Sequence, residues 1–216
     1  MKRKEKTKPS YFIHPSSELG DNCTIGKNST IGKNVQIGDN VCIGAGVSIM
    51  DHCEINEDVT IGDNTIIGVA SIIESNTTIG EFVVLGESVS IRGHCFIGDN
   101  TVIETMSMIG DTSSNHIIIG DNVRIGGRCR FNEHCRIGNN SVLGKNVSMG
   151  DYCILGNNVK IGSNCSLDGW VIVCMDVKIP ANTKIKEDMT IEVDTSFDTS
   201  FYADDGNDGD TWWKGK

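Results

Sequence analysis

Three of the chain's five histidines, His94, His116 and His134, fall in its central part. An imidazole exchanges protons near neutral pH and can also ligate metals, so a cluster of them is a candidate for either task. Four arginines, Arg124, Arg128, Arg130 and Arg136, occupy the same stretch, and guanidinium forks suit phosphate. Tyr152 and Trp170 follow shortly after; rings of that size either wall a ligand or pack in an interface. Each feature has a plainer alternative. Histidine is at home in left-handed turns, and a basic ring can be solvated or salt-bridged. Nine cysteines, an odd number with no CxxC pair, show no zinc-site spacing.

Whether these residues meet depends on the elements that carry them, and those elements repeat with a period of six. From Ile13 to Ile109 every sixth residue is Leu or Ile, giving seventeen repeats. The phase then slips by four residues, resumes at Ile119 and runs through thirteen more repeats to Ile191. The other positions of the hexad are constrained as well. The second is commonly Gly (Gly20, Gly26, Gly32), the fourth Asn (Asn22, Asn28, Asn34), and the fifth small or β-branched (Ser29, Val35, Val41). A short strand that turns its first and fifth residues inward and ends in a tight bend accounts for all of these. Asn tolerates the left-handed conformation of such a bend, and Gly relieves crowding there. Seven cysteines (Cys23, Cys53, Cys95, Cys129, Cys135, Cys153 and Cys165) take the inward fifth position, as small hydrophobes.

If three hexads make one turn, and the slip is an external loop that leaves the turn count intact, the fourth positions stack along three edges. One carries Asp58, Asn76, His94, the loop with His116, His134, Tyr152 and Trp170. A second is mostly Asn, with Phe82 as the exception. The third holds His52 among Asn and small residues, with Met106 and Arg128 also on it, and His52 reads as a turn residue. Imidazoles and large aromatics therefore gather on the edge that bears the insertion.

This pattern resembles the hexapeptide-transferase superfamily, whose consensus reads large aliphatic, Gly, any, any, small, any. The resemblance covers roughly residues 13–193. It implies an all-β fold, a single-stranded left-handed parallel β-helix of about ten triangular coils on the order of 48 Å tall, with one external loop at 110–118. It also implies transfer of an acyl group, from acetyl-CoA or another acyl-CoA as co-substrate, to an amine or hydroxyl of a small-molecule acceptor such as a sugar or nucleotide sugar. The site would lie in a groove between prisms of a homotrimer, with His94 or His134 as general base and His116 as the alternative. Tyr152 and Trp170 would line the site, and Arg124, Arg128, Arg130 and Arg136 would receive phosphates; no metal is expected. Two further readings belong to the same fold. One is a non-catalytic scaffold or assembly subunit. The other is a γ-carbonic anhydrase-like site with a metal among the three imidazoles, although that family has two ligands five residues apart and no His pair here has that spacing.

Composition narrows the partners. A net charge of -10 argues against nucleic acid. No apolar run reaches membrane-spanning length, and the basic start MKRKEKTKPS is not followed by the apolar region of a secretory signal. Free thiols fit the cytoplasm. Residues 1–12 and the acidic 194–216 lack the hexad and are expected to be disordered tails around a helix at 13–193. Outward strand positions form apolar columns, Ile66, Val84 and Val102 on one face and Phe96, Ile118, Ile154 and Ile172 on another, which points to a buried contact in an oligomer.

Overall fold

The computed structural model describes residues 10–111 and 116–193. Thirty two-residue strands, from Phe12–Ile13 to Thr190–Ile191, form three ten-stranded parallel sheets. Successive strands pass from one sheet to the next, so each sheet takes every third strand and the chain winds as a left-handed β-helix. Face one starts with Phe12–Ile13, face two with Glu18–Leu19 and face three with Thr24–Ile25. The first strand thus includes Phe12, the last residue assigned to the basic tail from sequence. The remaining tail residues, apart from Ser10 and Tyr11, lie outside the described part, as do 194–216.

The hexad dictates this coil. First-position side chains line the axis, and Ile31, Ile67, Ile73 and Phe131 are fully buried. Each contributes about 1.5–3 kcal/mol by leaving water. Fifth-position residues fill the corners from inside, including Val35, Val59, Cys135 and Thr65. Buried hydroxyls there are satisfied: Ser29 Oγ donates to the Gly44 carbonyl at 2.8 Å and accepts the Val47 N–H at 3.1 Å. At the fourth position the backbone is left-handed, with φ near +60° at Asn28, His94 and Trp170 alike. The second-position Gly is required by the coil above. A Cβ on Gly38, for example, would come within 2.7 Å of the Glu57 nitrogen.

Register survives the insertion. Phe96–Ile97 pairs with Ile118–Ile119, and Ile118–Ile119 with Arg136–Ile137. Gly110 N–H still reaches the Phe131 carbonyl at 2.8 Å, and Ile117 is fully buried at a fifth position. Within the 110–118 stretch, then, Gly110, Asp111 and His116 to Ile118 keep hexad positions. The extra residues are 112–115, outside the described part.

Candidate functional site

The edge between faces two and three is unlike the others. Its corner residues form a continuous column of rings. His94 stacks on His116 at 5.6 Å between centroids and 18° between planes, and His116 on His134 at 5.5 Å and 5°. His134 stacks on Tyr152 at 4.7 Å, and Tyr152 on Trp170 at 4.2 Å. A coil rise close to strand spacing brings one corner over the next, and the flat rings fill that spacing. Because residues 112–115 fall between the third and fourth positions of a hexad, His116 lands on the corner itself and supplies the missing rung.

The three imidazoles and two aromatics expected to meet therefore do so. His94 and His116 are exposed and His134 is half-buried between its neighbours. The arginines do not converge. Arg124 lies on face one, Arg128 at the corner between faces one and two, Arg130 on face two and Arg136 on face three. Only Arg130 and Arg136 flank the ring edge, on the strands just before and just after the His134 corner. None of the four makes an ion pair among the described residues, where Arg92 pairs with Glu74.

The ring geometry bears on metal binding. Zinc needs nitrogen lone pairs converging to about 2.0–2.1 Å. Imidazoles stacked face to face at 5.5 Å hold their in-plane lone pairs in separate layers, and no group of three or more His, Cys, Asp or Glu suited to a metal occurs among the described residues.

Two of the thiols behind this edge, Cys95 and Cys135, are held in the protonated form. Burial pushes Cys95 up to about 12 and, behind the Arg128 corner between faces one and two, pushes Cys129 up to about 11. Cys135, whose Sγ donates to the Gly150 carbonyl at 3.1 Å, is raised by the neighbouring Cys153 thiol and by burial, while Cys153 is lowered by the same neighbour. All nine cysteines are free.

One feature escaped the sequence reading. On face two the outward column runs Arg130, Ser148, Ser166, Lys184, and the two serines floor a shallow groove against the turns carrying Asp151, Asp168 and Trp170. The signal was present: small sixth-position residues in consecutive coils of one face, beside the Trp170 corner.

These features define a hexapeptide-repeat protein with a left-handed parallel β-helix. More narrowly, residues 7–118 match the family described as GMPPB C-terminal domain, and the chain belongs to that family. Residues 116–151, which include His116 and His134, match the bacterial transferase hexapeptide family (six repeats). Among solved structures, the chain is similar to UDP-N-acetylglucosamine acyltransferase from Bacteroides fragilis, with 23% identity over 82% of this chain and 70% of that one and a TM-score of 0.45. The Arabidopsis UDP-N-acetylglucosamine acyltransferase is 19% identical, over 83% and 70%, with a TM-score of 0.42. A variant of perosamine N-acetyltransferase from Caulobacter crescentus, in complex with CoA and GDP-perosamine, is 21% identical, over 56% and 54%, with a TM-score of 0.29. Likeness at these levels carries no argument about substrate. No curated protein sequence matches the chain significantly. Among the described residues no helix is long and apolar enough to cross a membrane.

Proposed function

We propose that the chain transfers an acyl group from acetyl-CoA or another acyl-CoA to an amine or hydroxyl of a sugar or nucleotide sugar, with His134 as general base. The observation that carries this reading is the column of three imidazoles built on one edge at the insertion, and the match of residues 116–151 to the bacterial transferase hexapeptide family supports it. His134 is favoured over His94 because rings on both sides fix its plane, as they do for His116, and over both because Arg130 and Arg136, beside its corner, offer guanidinium groups to phosphates. His94 ends the column and His116 is reached through the insertion. In the reaction, the acceptor's nitrogen or oxygen attacks the thioester carbonyl while an imidazole nitrogen takes its proton. The tetrahedral intermediate then collapses and the proton passes to the departing thiolate.

The same reading places the protein in a homotrimer in the cytoplasm. Phe96, Ile118, Ile154 and Ile172 are exposed on face three and Ile66 on face one, where Val84 and Val102 of the expected column are half-buried, and burial against a neighbouring prism removes the exposed ones from water. Sedimentation equilibrium is expected to give three chains per particle. These columns also favour the second reading, a non-catalytic assembly module. Release of free thiol from acetyl-CoA, measured with a panel of sugars and amino sugars, decides between the two. Acceptor-dependent release is expected, and release no faster than buffer with every acceptor would leave the assembly module.

A further inference from the structure

The groove beside Trp170 is a built feature and not a gap between coils. It is a shallow groove, open to solvent, with a volume of about 440 Å³. Its floor is dipped because Ser148 and Ser166 stand between the long side chains of Arg130 and Lys184. Its wall holds Asp151 and Asp168, with Glu187 at the upper end. The remaining wall is the indole of Trp170. This residue sits at φ +62°, where Asn is the usual occupant and a bulky side chain is disfavoured. It stacks on Tyr152 below, but the corner one coil above is Asp188, so the column of rings ends and the indole stays 58% exposed.

An exposed indole next to hydroxyls and carboxylates matches the two-sided character of a sugar ring. The apolar C–H face lies on the indole, and the rim of hydroxyls donates to carboxylates and exchanges hydrogen bonds with serines. The carboxylates line the groove without gathering into a metal-holding group. Asp151 is partly used, since one of its oxygens accepts the Glu133 N–H at 3.3 Å. We propose that this groove is a pyranose-binding site, with Trp170 as its platform and Asp151, Asp168 and Glu187 selecting neutral or amino sugars over uronic acids. The inference deepens the sugar-acceptor reading by giving the sugar a seat two rungs above His134. Binding is measured without acyl donor, so the two readings can fail separately.

The test is saturation-transfer NMR on the full chain with D-glucose, D-glucosamine and D-glucuronate. Each is used at roughly 10 mM, enough to occupy a site of Kd about 1 mM. Glucose and glucosamine ring protons are expected to saturate, and glucuronate to bind roughly tenfold more weakly. Trp170→Asn restores the residue this corner favours, so it is expected to keep the melting temperature while abolishing saturation. Glu187→Gln with Asp168→Asn is expected to narrow the gap between glucosamine and glucuronate. Saturation of none of the three sugars, or undiminished saturation in Trp170→Asn, overturns the proposal. Saturation that survives in a protein releasing no thiol supports this site and overturns the transfer reading alone.

Discussion

The corner at Asn158 and the corner at Trp170 have nearly the same backbone, φ +60° and +62°, and opposite chemistry. Along the Asn-rich edges, side-chain amides bond from coil to coil: Asn146 to Asn164 at 2.9 Å, Asn164 to Asn182 at 3.0 Å, and Asn158 to Asp176 at 2.9 Å. On the ring edge the lower corners keep such a bond, Asn40 to Asp58 at 3.2 Å, and from His94 to Trp170 stacking replaces it. The backbone is set by coil register and by the bonds of the turn, such as Trp170 N–H to the Asp151 carbonyl at 2.8 Å. The corner side chain is therefore released from structural duty. A solenoid can install imidazoles and an indole along one edge while its other edges keep the residue that folds best.

The strongest way to strain this comparison is from inside. Phe131 is fully buried on face two, in the strand that leads to the His134 corner. Phe131→Ala is expected to cost about 3–5 kcal/mol in chemical denaturation, and a loss under 1 kcal/mol would mean the ring edge does not rest on that core.

Alkaline titration probes the core next, since Cys95 and Cys135 lie behind the rings and Cys53 and Cys129 behind the edge of His52 and Arg128. The folded Cys95 thiol is raised to about 12 from an ordinary value of 9.0, so above pH 9 the unfolded chain loses a proton that the folded chain keeps. Stability should fall as pH rises from 9 toward 12, by up to about 1.4 kcal/mol per pH unit from this thiol, and Cys95→Ser should flatten the slope. An unchanged slope in that variant would contradict the buried assignment.

Corner exchange comes third. Asn158→Ala removes a hydrogen bond and a left-handed preference, and should destabilise by about 1–2 kcal/mol. Tyr152→Asn loses stacking of about 0.5–1.5 kcal/mol and regains that preference, so thermal melts should show the smaller change. The reverse ranking would show that rings hold their edge more firmly than amides hold theirs.

Deleting residues 112–115 is expected to do least to the fold. It leaves Ile109, Gly110, Asp111, His116, Ile117 and Ile118 as an uninterrupted hexad, and closing a short loop changes stability by about 1 kcal/mol or less. Circular dichroism melts check this, and unfolding at ambient temperature would mean the insertion is structural.

Period, faces and edges were legible in the sequence because each follows from counting by six and by eighteen. The column from His94 to Trp170 was legible for the same reason once the slip was treated as a loop. Its narrowness was not, because placing His116 on the corner required seeing that Ile117 and Ile118 keep their inward and outward positions. The Arg130 and Arg136 pair separates from Arg124 and Arg128 only when strands are assigned to faces. The hydrogen bond from the Cys135 thiol to the Gly150 carbonyl at 3.1 Å and the carboxylates that accept N–H groups one coil below, such as Asp39 Oδ1 from Asp21 at 2.7 Å, depend on rotamers that composition does not report.

The most direct measurement compares one histidine from each kind of edge. His52 and His134 both occupy left-handed corners, φ +62° and +56°, so His52→Asn and His134→Asn make the same chemical change in the same local backbone. In thiol release from acetyl-CoA with a sugar acceptor, His134→Asn should lower kcat by about 10²–10⁴, while His52→Asn leaves it unchanged. Equal rates in the two variants would contradict the assignment of chemistry to the ring edge.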